Sequence, residues 1–305
     1  GYLETSFMSR KSDQKLAPEP LFIIGEGVTI DATNFYNPYG RDFNDIRRRF
    51  VEAGTRNFLQ DINTFRFVGG LDGDVPDDIP GLAGWKWDAS YNFGRTQGTD
   101  FKEGVFIRSR LLNAIGPSFV DADGAPRCGT GPGDMIDGCV PLNLFGGPGT
   151  ITEEMLNYIT YRGTARGFNQ QKIVGLNLTG KVVDSPAGGP IGLAVGAQRR
   201  MESGAYIPDP LTAIGDTTGN KGEPTEGGYD VNEAYVEVSG DIIKDMGIKT
   251  LELTAAARVF DYNTFGGGNT WKFGARAQII PDVTLRGTIS TAFRAPSIGE
   301  LYAGQ

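Results

Sequence analysis

Histidine is absent from this 305-residue chain. That absence removes Ser-His-Asp and Cys-His nucleophile arrangements, HExxH zinc sites and every imidazole general base. The familiar hydrolase chemistries are therefore excluded, and the chain is not expected to be an enzyme. No run reaches the 18 or so consecutive apolar residues of a membrane-spanning helix, so a helical membrane protein is excluded as well. Basic clusters are scarce: "RRR" at Arg47 to Arg49 stands alone against a net charge of −8, and nucleic acid is not an expected partner. The opening segment "GYLETSFMSRKSDQ" lacks a charged stretch followed by an apolar one, so it is no secretory signal. Either such a leader has been removed or the chain is a piece of a longer protein.

What is present is glycine, aromatic residues and strict alternation. Glycine numbers 45 and aromatics make up 10%. From Trp271 to Ile279 the odd positions are apolar (Trp271, Phe273, Ala275, Ala277, Ile279) and the even ones polar or glycine (Lys272, Gly274, Arg276, Gln278), a full period-2 match. After a turn at Ile280 to Asp282 the pattern resumes, with Val283, Leu285, Gly287, Ile289 and Phe293 opposite Thr284, Arg286, Thr288, Ser290 and Arg294. The same reading gives strands around Leu251 to Val259, Ala234 to Val238, Ile191 to Arg200, Val174 to Val182, Trp85 to Phe93 and Phe65 to Leu71. With "YLETSFMSR" as the first, there are about nine, and the chain is all-β.

Connections alternate in length. Short ones fall near 73–83, 184–190, 242–248 and 280–282, and long ones near 11–45, 111–162 and 207–227, with a tight exception at Gly266 to Gly268. An antiparallel up-and-down transmembrane β-barrel has this asymmetry, with turns at one rim and loops at the other. Its apolar face meets lipid and its charged face lines a wet lumen. The lipid-interface aromatics are then Trp85 and Trp87 at the inner rim and Trp271 and Phe293 at the outer rim. A soluble or surface-anchored β-sandwich for adhesion is the alternative, since period 2 alone does not separate the two. An odd count of about nine strands cannot close as bacterial single-chain barrels do. The chain is therefore read as a partial barrel.

The segment "FRAPSIGELY", Phe293 to Tyr302, resembles a passage of TonB-dependent outer-membrane receptors in which a late strand runs into an extracellular loop. "QKLAPEPL", "NFYNPYG" and "GCVPLNLFGG" look like loop motifs of the same family, and "NTFRFVGGLDGDV" with "WKWDASYNFGRT" like a periplasmic turn. The resemblance implies about nine strands of a larger, ~22-stranded barrel enclosing a plug. Residues 1–305 are then part of a single barrel domain whose plug and closing strands lie outside the chain. It also implies residence in the bacterial outer membrane, outer-membrane lipid as a partner, and coupling to TonB through the missing plug region. The cargo it implies is a bulky, scarce nutrient: a ferric siderophore, cobalamin or an oligosaccharide.

Several constellations remain. Cys128 and Cys139 are expected to form a local disulfide in an oxidising compartment, two free thiols being the alternative. No metal site or cofactor is expected. "SIGE" from Ser297 fits a capping box after Pro296, as does "TITE" from Thr150. The lumen-facing charged candidates for plug or substrate contact are Arg200, Glu233, Glu237, Glu252, Arg258, Arg276, Arg286 and Arg294, accompanied by Glu202. Long loops 11–45 and 111–162 are the expected capture surface.

Overall fold

The computed structural model describes residues 1–303. Nine long strands make one antiparallel sheet: β1 (Tyr2–Leu16), β2 (Arg56–Asp74), β3 (Lys86–Phe106), β4 (Thr160–Asp184), β5 (Pro190–Ile207), β6 (Thr225–Lys244), β7 (Thr250–Tyr262), β8 (Gly266–Ile280) and β9 (Val283–Ser290). Each pairs only with its sequence neighbours in that set, so the sheet is a simple meander with β1 and β9 as open edges. One layer, not two facing layers, is built, which sets the β-sandwich alternative aside. The strands are all-β elements of a partial, unclosed barrel wall.

Register fixes which residues share a face. Phe273 pairs with Ile289, Ala275 with Gly287 and Ala277 with Leu285. Across the other seam Leu253 pairs with Ala275, Ala255 with Phe273 and Ala257 with Trp271. Followed through the remaining pairs, this apolar face continues to Leu176 on β4, Ala89 on β3 and Leu71 on β2. Nothing covers it: Leu71, Leu176, Phe273, Leu285 and Ile289 are all more than half exposed. A contiguous apolar sheet of this extent is not left facing water, and a bilayer is the solvent that suits it.

The pairs also reveal the strand tilt. One register row runs Trp87, Leu178, Val195, Val236, Ala257, Trp271. It passes about one residue from the turn-side end of β3 but about nine from that of β8. Averaged over the hairpins at its two ends, the row climbs a little over one residue per strand. At ~3.3 Å per residue and ~4.8 Å between strands this is a tilt of about 40°, inside the range of membrane barrels. A single hydrogen-bonded row therefore puts Trp87 near the turn-side rim and Trp271 near the loop-side rim.

The strands run longer than the apolar stretches, 25 residues in β4 and 21 in β3, because their loop-side halves extend beyond the apolar band. Three register shifts sit next to the turns, between Lys181 and Val183, Asp241 and Ile243, and Gln278 and Ile280, and a fourth, between Lys102 and Val105, lies at the loop side. The first of these moves Val182 off the apolar face: Val183, not Val182, lies opposite Ile191.

Candidate functional site

The opposite face of the sheet carries charge. Glu233, Glu237, Glu252, Arg258, Lys272 and Arg276 lie on it in three cross-strand ion pairs: Arg258 with Glu233 at 3.5 Å, Lys272 with Glu237 at 3.4 Å and Arg276 with Glu252 at 3.7 Å. Arg200 pairs with Glu202 at 2.7 Å and donates to the Tyr262 hydroxyl at 3.1 Å. Partners on adjacent strands are close enough to interact directly, yet three links here skip a strand, the first being that of Arg200 on β5 with Tyr262 on β7 across Val231 of β6. Lys272 on β8 reaches Glu237 on β6 across Ala256 of β7. Tyr235 on β6 lies over Gly196 of β5 and donates its hydroxyl to Asn177 Oδ1 of β4 at 2.7 Å, and Asn177 donates in turn to Asp88 of β3 at 2.8 Å. A Cβ on Gly196 would stand 2.4 Å from the Tyr235 ring, so only glycine admits the crossing.

Of the eight charged candidates, the sheet brings seven to this face. Arg286 faces Arg276 across β8 and β9 and has no ion pair among the described residues. Arg294 does not join them. The strand ends at Ser290, and Arg294 instead donates to Glu300 at 2.6 Å in the loop. Glu300 also accepts from the Ser297 backbone N–H at 2.8 Å while the Ser297 hydroxyl accepts from Glu300 N at 3.3 Å, a complete capping box on the helix Ile298–Tyr302. The Ser297 backbone bond, then Arg294, hold the Glu300 carboxyl down at about 2.

The aromatic candidates divide as well. Trp87 and Trp271 lie on the apolar face at partial exposure. Trp85 shares that face but is buried, its ring lying flat over Gly180 of β4. Phe293 is on the other side of the sheet. Having left β9, the chain turns inward and Phe293 stacks on Phe260, with ring centroids 4.4 Å apart. Ala295, Ile298 and Leu301 follow it onto Tyr229, Val231, Phe260 and Tyr262, and the Tyr302 hydroxyl donates to Gly228 O at 2.6 Å. Alternation extrapolated past Ser290 puts Phe293 on the lipid face; the end of the strand and the turn through Pro296 reverse it. Between this inturned segment and the wall lies an open cavity of about 760 Å³, lined by Arg200, Glu202, Arg258, Tyr262, Phe293 and Ser297 among others.

The long connections form a structure of their own. Sixteen buried residues from 21–50 and 106–159, among them Leu21, Ile30, Phe50, Phe106, Leu111, Leu142 and Ile159, make the larger hydrophobic core. Phe50 and Phe106 meet at 4.5 Å between ring centroids. Asn34 donates to the Ala114 and Gly116 carbonyls at 3.2 and 3.0 Å, stapling the first loop to the helix Arg108–Ile115 of the second. Arg48 pairs with Glu52 at 2.6 Å, both side chains about one-tenth exposed, and donates to the Gly146 and Gly147 carbonyls of the other loop. Burial pushes the Glu52 carboxyl up, but backbone donors, including Gly149 N–H, and Arg48 outweigh it and hold it below its ordinary value. The third loop joins through Asp216, which accepts from Ser109 N and Oγ at 2.7 Å each. These three loops are one cap.

Within the cap Cys128 and Cys139 are joined as a disulfide closing an 11-residue separation. The helix Glu153–Ile159 is capped by Thr152, whose hydroxyl accepts from Met155 N. Thr150 does not cap it and bonds instead to Gly147 O at 2.7 Å. Phe43 and Phe145 pack edge to face at 5.4 Å beside Tyr39, with the Arg41 guanidinium 4.9 Å from the Phe43 ring. Tyr39 and nearby Phe35 remain at least half exposed, giving the cap an aromatic outer surface. Sequence reading located these loops but not their shared core, whose apolar residues follow no period.

Among the described residues no group of three or more His, Cys, Asp or Glu is placed to hold a metal ion. A comparison with protein-family models matches residues 23–305 to a family described as TonB dependent receptor-like, beta-barrel. No curated protein and no solved structure matches the chain.

Proposed function

The chain belongs to the TonB-dependent receptor-like β-barrel family, and from that premise we propose that it forms part of the wall and capture surface of an importer for a bulky, scarce nutrient. Membership makes it a piece of an outer-membrane receptor barrel that serves transport and works with TonB. The finer reading is that the fused cap and its aromatic surface take the cargo from outside, and that the mixed-sign wall hydrates the passage and holds a plug. TonB, energised across the inner membrane, then moves that plug. Ferric siderophores, cobalamin and oligosaccharides are the cargo classes considered.

The observation that carries this reading is the division of the sheet into an uncovered apolar face and a paired-charge face beneath a prefolded cap. Side chains that bond across two strands make the inner face a fixed polar surface of the kind that lines a lumen. The test uses cells carrying the full-length receptor, each cargo class in labelled form, and a protonophore. Uptake should stop when the proton gradient collapses while surface binding persists. Uptake that continues unchanged after collapse overturns the proposal.

A further inference from the structure

The open cavity behind the inturned segment has a volume of about 760 Å³, within the ~300–1,000 Å³ of small-molecule sites. It stands at the loop-side end of the inner wall. Arg200 and Glu202 lie beyond Ala197, and Tyr229 beyond Ala234, the paired residues at which the apolar band of β5 and β6 stops. Four charged side chains line the cavity, two of each sign: Arg200, Glu202, Glu233 and Arg258. Each has its opposite within the cavity, Arg200 with Glu202 and Arg258 with Glu233. Further contacts hold both pairs in place. Arg200 also donates to the Tyr262 hydroxyl, Glu202 accepts from Gln171 at 3.0 Å, and the Arg258 guanidinium lies 5.6 Å from the centroid of the Tyr235 ring.

The far side of the cavity is equally fixed. Where the segment leaves β9, Thr291 and Trp271 exchange two hydrogen bonds of 3.0 Å, from Thr291 N to Trp271 O and from Trp271 N to Thr291 Oγ1. At its other end the Tyr302 ring lies over Gly227, where a Cβ would stand 2.3 Å away. Between these anchors Phe293, about half exposed, stacks on Phe260 with the ring planes 29° apart. The space is therefore built before any ligand enters it, and binding there need not include the cost of ordering its walls.

The pairing of the charges decides the ligand. An anion would draw Arg258 from Glu233, whose side chain is only 11% exposed, and leave that carboxylate uncompensated; a cation would strand a guanidinium in the same way. A neutral ligand breaks neither pair. A guanidinium carries five N–H donors and a carboxylate about four acceptor positions, so each pair still offers donors and acceptors side by side. Vicinal hydroxyls, each of which donates and accepts, match that arrangement, and the electropositive C–H face of a pyranose ring matches the negative face of an aromatic one. The geometry points to a binding site for a neutral oligosaccharide between residues 291–303 and the wall. Arg200 with Glu202 and Arg258 with Glu233 take its hydroxyls, and Phe293 carries a sugar ring. The site rests on the import proposal for its cargo class, but its binding is an equilibrium that needs no TonB.

The test uses the purified full-length receptor on an array of neutral, uronic and sulfated oligosaccharides, followed by calorimetry in detergent with the best neutral glycan. A neutral glycan should bind, and its uronic or sulfated counterpart should bind about tenfold or more weakly. The double variant Arg258→Gln, Glu233→Gln should weaken the neutral glycan about tenfold or more, as loss of hydrogen bonds to charged groups does. Phe293→Ala should weaken it roughly fivefold, and Lys249→Gln, at a turn on the opposite rim, should leave it unchanged. Heat-dependent gel mobility shows whether each variant has folded; should the double variant fail, Phe293→Ala is read instead. No neutral glycan bound, a preference for charged glycans, equal binding by a folded cavity variant, or displacement of the glycan by cyanocobalamin or a ferric trihydroxamate each overturns the assignment. Gradient-dependent uptake of one of those two compounds without glycan binding would remove this site and leave the import proposal standing. Glycan binding with uptake indifferent to the gradient would do the reverse.

Discussion

Replacing Gly196 by alanine tests whether the inner wall is held by side chains that cross an intervening strand. The new Cβ would lie 2.4 Å from Tyr235 Cε1 and 2.5 Å from Asn177 Oδ1. Asn177 Oδ1 ends a movable side chain, but the Tyr235 ring must leave its seat, giving up the 2.7 Å bond to Asn177. Overpacking of this kind costs about 1–3 kcal/mol and the lost hydrogen bond about 1 kcal/mol. Against this, alanine is better than glycine in a strand by about 0.5–1 kcal/mol. The net expectation is a loss of about 2–3 kcal/mol. With Tyr235→Ala already in place the ring is gone, and Gly196→Ala should become neutral or stabilising by up to about 1 kcal/mol. The sign change gives a coupling of about 3 kcal/mol, measurable by urea unfolding of the full-length barrel in lipid vesicles, followed by tryptophan fluorescence. Equal effects of Gly196→Ala with and without Tyr235 would refute the reasoning.

Adjacent residues on β7 should answer oppositely to charge: Ala255→Arg, central in the apolar band, should cost about 2–4 kcal/mol in the same unfolding assay, and inward-facing Thr254→Arg under about 1 kcal/mol. Arg48→Ala leaves the buried Glu52 carboxylate without its cation, a local loss of about 3–5 kcal/mol, so limited proteolysis should begin within 17–55 while the strands stay intact. The depressed Glu300 carboxyl contributes stability that is complete above the ordinary carboxylate range and lost as pH falls through about 2. An environment-sensitive dye on Ala303→Cys should therefore report a docked segment at pH 4 and release between pH 3 and 2; release centred near 4.5 would show that the capping box does not hold it.

How much of this was legible in the sequence depended on the range of the forces involved. Period-2 alternation located the strands and their two faces, since each residue's side is set by its neighbours' pleat. Glu233, Glu237, Glu252 and Arg258 could be placed on one face for that reason, and the capping box at Ser297 is equally local. The bulge at Val182 was not legible, because an extra residue leaves the composition unchanged. Phe293 was misplaced because alternation has no authority beyond Ser290, where the chain stops pairing. The cap's loops could be located but their shared core could not: Phe50 and Phe106 are 56 positions apart and meet through tertiary packing, with no repeat to announce them. Arg200, Glu202, Glu233 and Arg258 were in plain view as strand residues, but only the return of 291–303 onto the wall makes a cavity of them.

A visor riveted together from three hairpin tips behaves unlike three independent flaps. Its pieces share one greasy interior, so prising a single tip upward would expose that interior to water. Cargo would accordingly pass around its margin or tip it as a whole, and changes in selectivity would come more readily from residues on its outer skin, such as Phe35 and Tyr39, than from loosening its joints.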